Sequence, residues 1–177
     1  MKKYMKLAVS FLAIAIIATA TAFAADTNVV KATPSAESWV FSLGGAGSTV
    51  TTSGGDTAFG VDLGLGRTGH LLLPIEAGVR QSVSYNDGST LLNTRLYNDW
   101  TLLSGFNKRV DLFAGGAVGL QYGNQTPSWE LAPEAGVRLW LKKDVAVLAR
   151  AEVPFDVDGW KYKETVRYFV GLSVKLP

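Results

Sequence analysis

Few side chains in this 177-residue chain could do covalent chemistry. It has no cysteine and a single histidine, His70. A zinc centre draws its ligands mainly from those two residue types, so no metal site is expected. A nucleophilic triad would need His70 beside a serine and a carboxylate. Leu71 and Leu72 offer neither, and Ser82 and Ser84 fall at the far end of the next expected strand. Gly64-Leu65-Gly66-Arg67-Thr68-Gly69 has the G-x-G-x-x-G spacing of a dinucleotide loop. Such a loop must open a helix after a parallel strand. Here it ends one expected strand and leads directly into another, so it reads as a turn. Glu130 and Glu134 share a face, as an acid–base pair would. Arg138 continues that line, so ion pairing is the better reading. No catalytic residue and no cofactor is expected.

The elements carrying these residues are β-strands. From Thr57 to Leu65, Phe59, Val61, Leu63 and Leu65 fall on one face and Ala58, Gly60, Asp62 and Gly64 on the other. A period of two is that of a strand. Eight such segments follow one another with turn residues between them: Trp39–Thr49, Gly55–Leu65, Leu71–Tyr85, Thr90–Leu103, Val110–Tyr122, Pro127–Leu141, Asp144–Phe155 and Glu164–Leu176. Each meets the ~9–11 residues that a tilted membrane strand needs, and an even count suits a closed barrel of the bacterial outer membrane. The expected fold is an all-β, eight-stranded, antiparallel up-and-down transmembrane barrel. Short turns at Gly66–His70, Ser104–Arg109 and Lys142-Lys143 would lie in the periplasm. Loops at Val50–Gly54, Asn86–Ser89, Gly123–Thr126 and Asp156–Lys163 would lie outside. Pro74, Pro133 and Pro154 fall within strands, where proline cannot donate to a ladder. Pro133 is the deepest and marks an expected bulge.

The two faces differ in kind. The apolar face sorts its aromatics toward strand ends: Trp39, Phe41 and Trp100 at one end, Phe59, Tyr85, Tyr122, Trp129, Phe155 and Tyr168 at the other. Aliphatic residues such as Val61, Val79, Leu96, Val118 and Val170 lie between. Two aromatic girdles around an aliphatic band match a membrane barrel. The polar face carries Asp62, Glu76, Arg80, Arg95, Asp99, Glu130, Glu134, Arg138, Arg150, Glu152 and Arg167, spaced by glycine and alanine. That is six acids against five arginines with no lysine. Arginine binds carboxylates bidentately, and charges inside a narrow barrel must pair. The near-balance predicts a salt-bridged lumen, with Tyr97, Phe113, Trp140 and Phe169 helping to fill it.

Lys2, Lys3 and Lys6, the apolar run Leu7–Ala18 and the small-x-small Ala22-Phe23-Ala24 read as a signal peptide over residues 1–25. A polar lead-in over 26–38 and a barrel over 39–177 would follow. The three lysines belong to the 17 basic residues, while all 15 acidic residues lie beyond Ala25, so the exported part carries one excess acid. No basic patch argues for nucleic acid. Arg67, Lys108, Arg109, Lys142 and Lys143 cluster at the expected periplasmic turns, where phospholipid headgroups could meet them. Lys161 and Lys163 beside Trp160 and Tyr162 could meet lipopolysaccharide phosphates.

The closing stretch Tyr168-Phe169-Val170-Gly171-Leu172-Ser173-Val174-Lys175-Leu176-Pro177 resembles the last strand of the OmpA/OmpX-like small outer-membrane barrels. That strand commonly ends in an aromatic; here Leu176 takes its place and Pro177 follows. The resemblance covers about residues 39–176 in pattern. It implies an outer-membrane location in a Gram-negative envelope, outer-membrane lipids (phospholipid and lipopolysaccharide) and the outer-membrane assembly machinery as partners, and a structural or surface-interaction role. Two other readings stay open. One is a lipid-modifying enzyme of the lipid A deacylase or acyltransferase type. The other is a soluble periplasmic barrel that turns its apolar face inward around a ligand.

Overall fold

The computed structural model describes residues 37–50, 57–70, 72–86, 88–123, 126–157 and 161–176. The expected signal peptide, most of the lead-in and Trp160 lie outside the described residues. The strands are β1 (Trp39–Val50), β2 (Thr57–His70), β3 (Pro74–Asn86), β4 (Ser89–Gly105), β5 (Val110–Gly123), β6 (Ser128–Lys142), β7 (Val145–Glu152), β8 (Phe155–Asp156), β9 (Lys161–Tyr162) and β10 (Thr165–Leu176). No helix occurs among the described residues.

Each long strand pairs antiparallel with its neighbour in the chain, and β10 pairs with both β7 and β1 to close the sheet. The result is a closed eight-stranded up-and-down barrel, with β8 and β9 forming a two-residue ladder beside β6. Register traces the closure. Thr68 stands opposite Glu76, then Asp99, Gly115, Glu134, Glu152, Arg167, Ser48 and finally Ala58. One circuit therefore returns to β2 ten residues from where it began. Such a stagger in an eight-stranded barrel goes with strands tilted by roughly 35–45°. It also lines up Glu76, Asp99, Glu134, Glu152 and Arg167 along one spiral row of the inner wall. Trp39 faces Leu176, so the two chain ends of the barrel share one rim, called proximal here. The opposite rim is distal.

Alternation places the charged face inside and the apolar face outside. Leu43, Leu63, Leu65, Val79, Leu96, Val118, Leu131, Val170 and Leu172 are exposed on the outer wall, while Asp62, Arg80, Arg95 and Asp99 are buried. The arrangement with an apolar interior is not the one this chain adopts. Inward glycines leave room for the charges. A Cβ on Gly119 would stand 2.6 Å from Arg95 Cγ, and one on Gly136 would overlap the Phe113 ring.

Four local expectations are corrected. The segment Gly64–Gly69 is not a turn: β2 runs straight through it to His70, which pairs with Pro74. The neighbouring strands dictate this, because Ser42 and Tyr97 hydroxyls occupy the space beside Gly64 and Gly66. The chain reverses between His70 and Pro74, so β3 starts at Pro74, where a strand's first residue needs no donor. Pro133 makes no bulge, for β5 and β6 stay in register through the Gly116–Pro133 pair. Its carbonyl accepts from Val153 N at 3.1 Å. Its missing N–H points to that same side, where Val153 and Pro154 already separate β7 from β8. The expected single strand Asp144–Phe155 is broken there. The register shifts lie elsewhere, between Thr101 and Leu103 and between Trp140 and Lys142.

Candidate functional site

The lumen brings all eleven sequence-predicted charges together. Ten are buried and the Arg167 side chain is 15 % exposed. They form one column of alternating sign from the proximal to the distal end. Arg138 Nη2 lies 2.9 Å from Glu76 and 3.5 Å from Asp99. Arg80 reaches Asp99 at 2.8 Å and grips both Glu134 oxygens at 2.6 and 2.5 Å. Arg150 bridges Glu134 at 3.5 Å and Asp62 at 2.9 Å. Arg95 joins Asp62 at 3.3 Å to Glu152. Arg167 lies 3.7 Å from Glu152 and pairs with Glu130. Every arginine thus stands between two carboxylates, which is how a narrow lumen can tolerate desolvated charge. The Arg138 pair is an ion pair by distance only, since its Nη2 makes no hydrogen bond.

Aromatic rings support the guanidinium groups. Arg80 lies 3.6 Å over the Tyr97 ring, and Arg138 and Arg150 lie 4.4 Å over Phe113 and Phe169. A cation over a ring face is attracted by its quadrupole. The Tyr97 hydroxyl also donates to Glu76 at 2.7 Å, which ties the filler to the column. Trp140, the fourth expected filler, is half-buried nearer the proximal rim. There its Nε1 donates to Asp111 at 2.6 Å and its ring carries Lys175 at 4.4 Å.

One member was missed by sequence reasoning. Lys163, assigned above to an outer loop facing lipopolysaccharide, turns into the distal mouth instead. Its Nζ lies 2.9 Å from Gln121, 3.0 Å from Ser128 and 3.4 Å from Glu130. It supplies the sixth cation, so the column of six acids is neutral. The tally itself held the signal: six carboxylates against five arginines left one cation to find. Its position did not follow from alternation, because it precedes β10 rather than lying within it. Lys163→Met is expected to cost less than loss of a central arginine, since Arg167 still holds Glu130. Chemical denaturation of the folded barrel measures this; a loss equal to that of a central arginine would contradict the arrangement.

Beside the distal half of the column lies a chamber of about 30 Å³, lined by Ser82, Asn93, Asp62, Arg95, Arg150 and Glu152. It has room for about two waters by the usual criterion of 10–15 Å³ each. Tyr97 and Phe113 fill the lumen on the proximal side, and Phe169 borders the chamber. His70 stands at the proximal end of β2, whereas Ser82 and Ser84 lie toward the distal end of β3, so no triad is assembled from them.

On the outer wall the girdle residues face outward. Trp39, Phe41 and Trp100 are exposed near the proximal rim, and Phe59, Tyr85, Trp129 and Tyr168 near the distal one. Tyr122 and Phe155 are half-buried. Phe59 faces Tyr85 across the ladder, and the Tyr168 ring covers Gly47. The Tyr122 hydroxyl is held by Thr94 at 2.9 Å.

No family model matches the chain, and no curated protein matches it. Ten solved chains are similar to it, two of which are as follows. The crystal structure of the outer membrane protein OprG from Pseudomonas aeruginosa is 12% identical, with 80% of this chain and 96% of that one covered, at a TM-score of 0.49. A structure from the de novo design of transmembrane β-barrels is 14% identical, with 83% and 100% covered, at a TM-score of 0.41.

Proposed function

We propose that this chain is an integral outer-membrane barrel whose lumen is plugged by side chains, serving the envelope as a structural or surface-interaction element rather than as a pore. The observation that carries this reading is the inverted distribution of polarity. A closed ladder satisfies its own backbone groups, the requirement for spanning hydrocarbon. Its outer wall is leucine and valine between aromatic rims, and its charges lie inside. Soluble proteins rarely expose contiguous apolar surface beyond a few hundred Å². The neutral column and its stacked rings occupy the lumen that a porin, with its wider barrel, leaves to water. The proximal rim, with its tight turns, would face the periplasm, and phospholipid and lipopolysaccharide would surround the wall. The outer-membrane assembly machinery would place the barrel there.

The test is gel mobility in SDS, with and without boiling, of protein from washed outer membranes. A closed membrane barrel is expected to stay folded in SDS and to shift after boiling. Recovery in the soluble periplasmic fraction without a shift would overturn the reading.

A further inference from the structure

The outer wall carries an apolar groove at the proximal rim. Its volume is about 530 Å³, and Leu72, Leu73, Trp100, Leu102, Ala114 and Gly115 line it. Two local devices build it. The register shift between Thr101 and Leu103 breaks alternation, so Leu102 and Leu103 are both exposed in succession, at 51 and 54 %. On the other side the short connection from β2 to β3 presents Leu72 with 97 % of its surface open. Ala114, directly opposite Trp100, keeps the floor low. Leucines gathered in this way at a turn and a bulge form a patch, not scattered surface residues.

The rim beside the groove is basic. The β4–β5 turn holds Phe106, Asn107 and Lys108 at φ of 48, 55 and 65°, three successive left-handed residues that few side chains favour. Arg109 N closes the turn onto the Gly105 carbonyl at 3.0 Å. This fixes Phe106, which is 47 % exposed, on the same short turn as the exposed Lys108 and Arg109. Arg109 lies three residues, about 10 Å of strand, from Leu112, the partner of Leu103.

We propose that this groove seats an acyl chain of an anionic phospholipid whose phosphate is held by Lys108 and Arg109. The proposal rests on the membrane reading above. Its specific content is a preferred lipid at one place on the wall. The groove falls within the 300–1,000 Å³ range of small-molecule sites. Its lining is almost wholly apolar, with no charged side chain for a protein partner to pair with. The cations beside it match a phosphate, and basic residues at a membrane surface draw anionic lipid.

The test uses the full-length exported chain inserted in phosphatidylcholine vesicles that contain a small fraction of brominated lipid, either phosphatidylglycerol or phosphatidylcholine. The Trp100 contribution to fluorescence is the difference between wild type and Trp100→Phe. Brominated phosphatidylglycerol is expected to quench it at a several-fold lower mole fraction than brominated phosphatidylcholine. The double variant Lys108→Gln/Arg109→Gln should make the two lipids equal, and Ala114→Phe should weaken quenching by both by filling the floor. Equal quenching in wild type, or a preference that survives loss of both cations, overturns the proposal. So does quenching that vanishes as protein is added, which would make a second copy of the chain the occupant. The boiling-dependent shift in SDS is read on every sample. A folded, inserted barrel without lipid preference refutes the lipid site alone, whereas a chain that fails to insert refutes the membrane reading and the site with it.

Discussion

Arg80→Ala is expected to be the most damaging single change in the lumen, with a loss of about 3–5 kcal/mol in unfolding free energy. Arg80 is 1 % exposed, binds Glu134 through both carboxylate oxygens, reaches Asp99 and lies on Tyr97. Removing it leaves two buried carboxylates short of a cation, and that residual charge, more than the lost bonds, sets the cost. Urea unfolding of the refolded barrel in detergent or lipid measures it. The double variant Arg80→Ala/Glu134→Ala should recover part of the loss, because residues in one ion network couple. An Arg80→Ala barrel within 1 kcal/mol of wild type would show that the column is not a desolvated network. Arg138→Ala, at the proximal end with a longer contact to Asp99, should cost less.

The second large effect is expected on the outer wall. Leu96 lies near the middle of β4, is 61 % exposed and is flanked by Val79 and Val118. In a water-facing strand Leu96→Arg would change stability by no more than about 0.5 kcal/mol. On a lipid-facing wall near the bilayer midplane it should cost about 2–4 kcal/mol. Unfolding in phospholipid vesicles separates the two cases. The same substitution near a rim, at Phe59 or Tyr85, should cost about 0–1 kcal/mol, because a long basic side chain there reaches the interface. A depth-independent effect would contradict a membrane-embedded wall.

These two experiments probe the two faces, and the faces were legible in the sequence. Period-two alternation is local: it needs only the strand geometry of neighbouring residues, so it sorted Asp62 from Val61 and Arg80 from Val79 without knowledge of the fold. Strand count was readable for the same reason, because turn residues separate runs of alternation. The boundaries were less so. His70 and Pro74 pair at the end of β2 although glycines precede them, since register with β1 and β3 outweighs local turn preference. Pro133 sits without a bulge because the neighbouring strand breaks opposite it.

Sequence alone determined that eleven charges share one face, nearly balanced, and that aromatics mark the ends of the other. It could not say which acid meets which arginine. Glu130, Glu134 and Arg138 follow one another along β6, yet none pairs with another: Glu130 goes to Arg167, Glu134 to Arg80 and Arg150, and Arg138 to Glu76 and Asp99. Those partners are set by the ten-residue stagger, which brings distant strands to one height only once the sheet has closed. The same closure turned Lys163 inward and completed the charge balance. Facing direction is a property of each residue and its neighbours; contact across a lumen is a property of the whole ring.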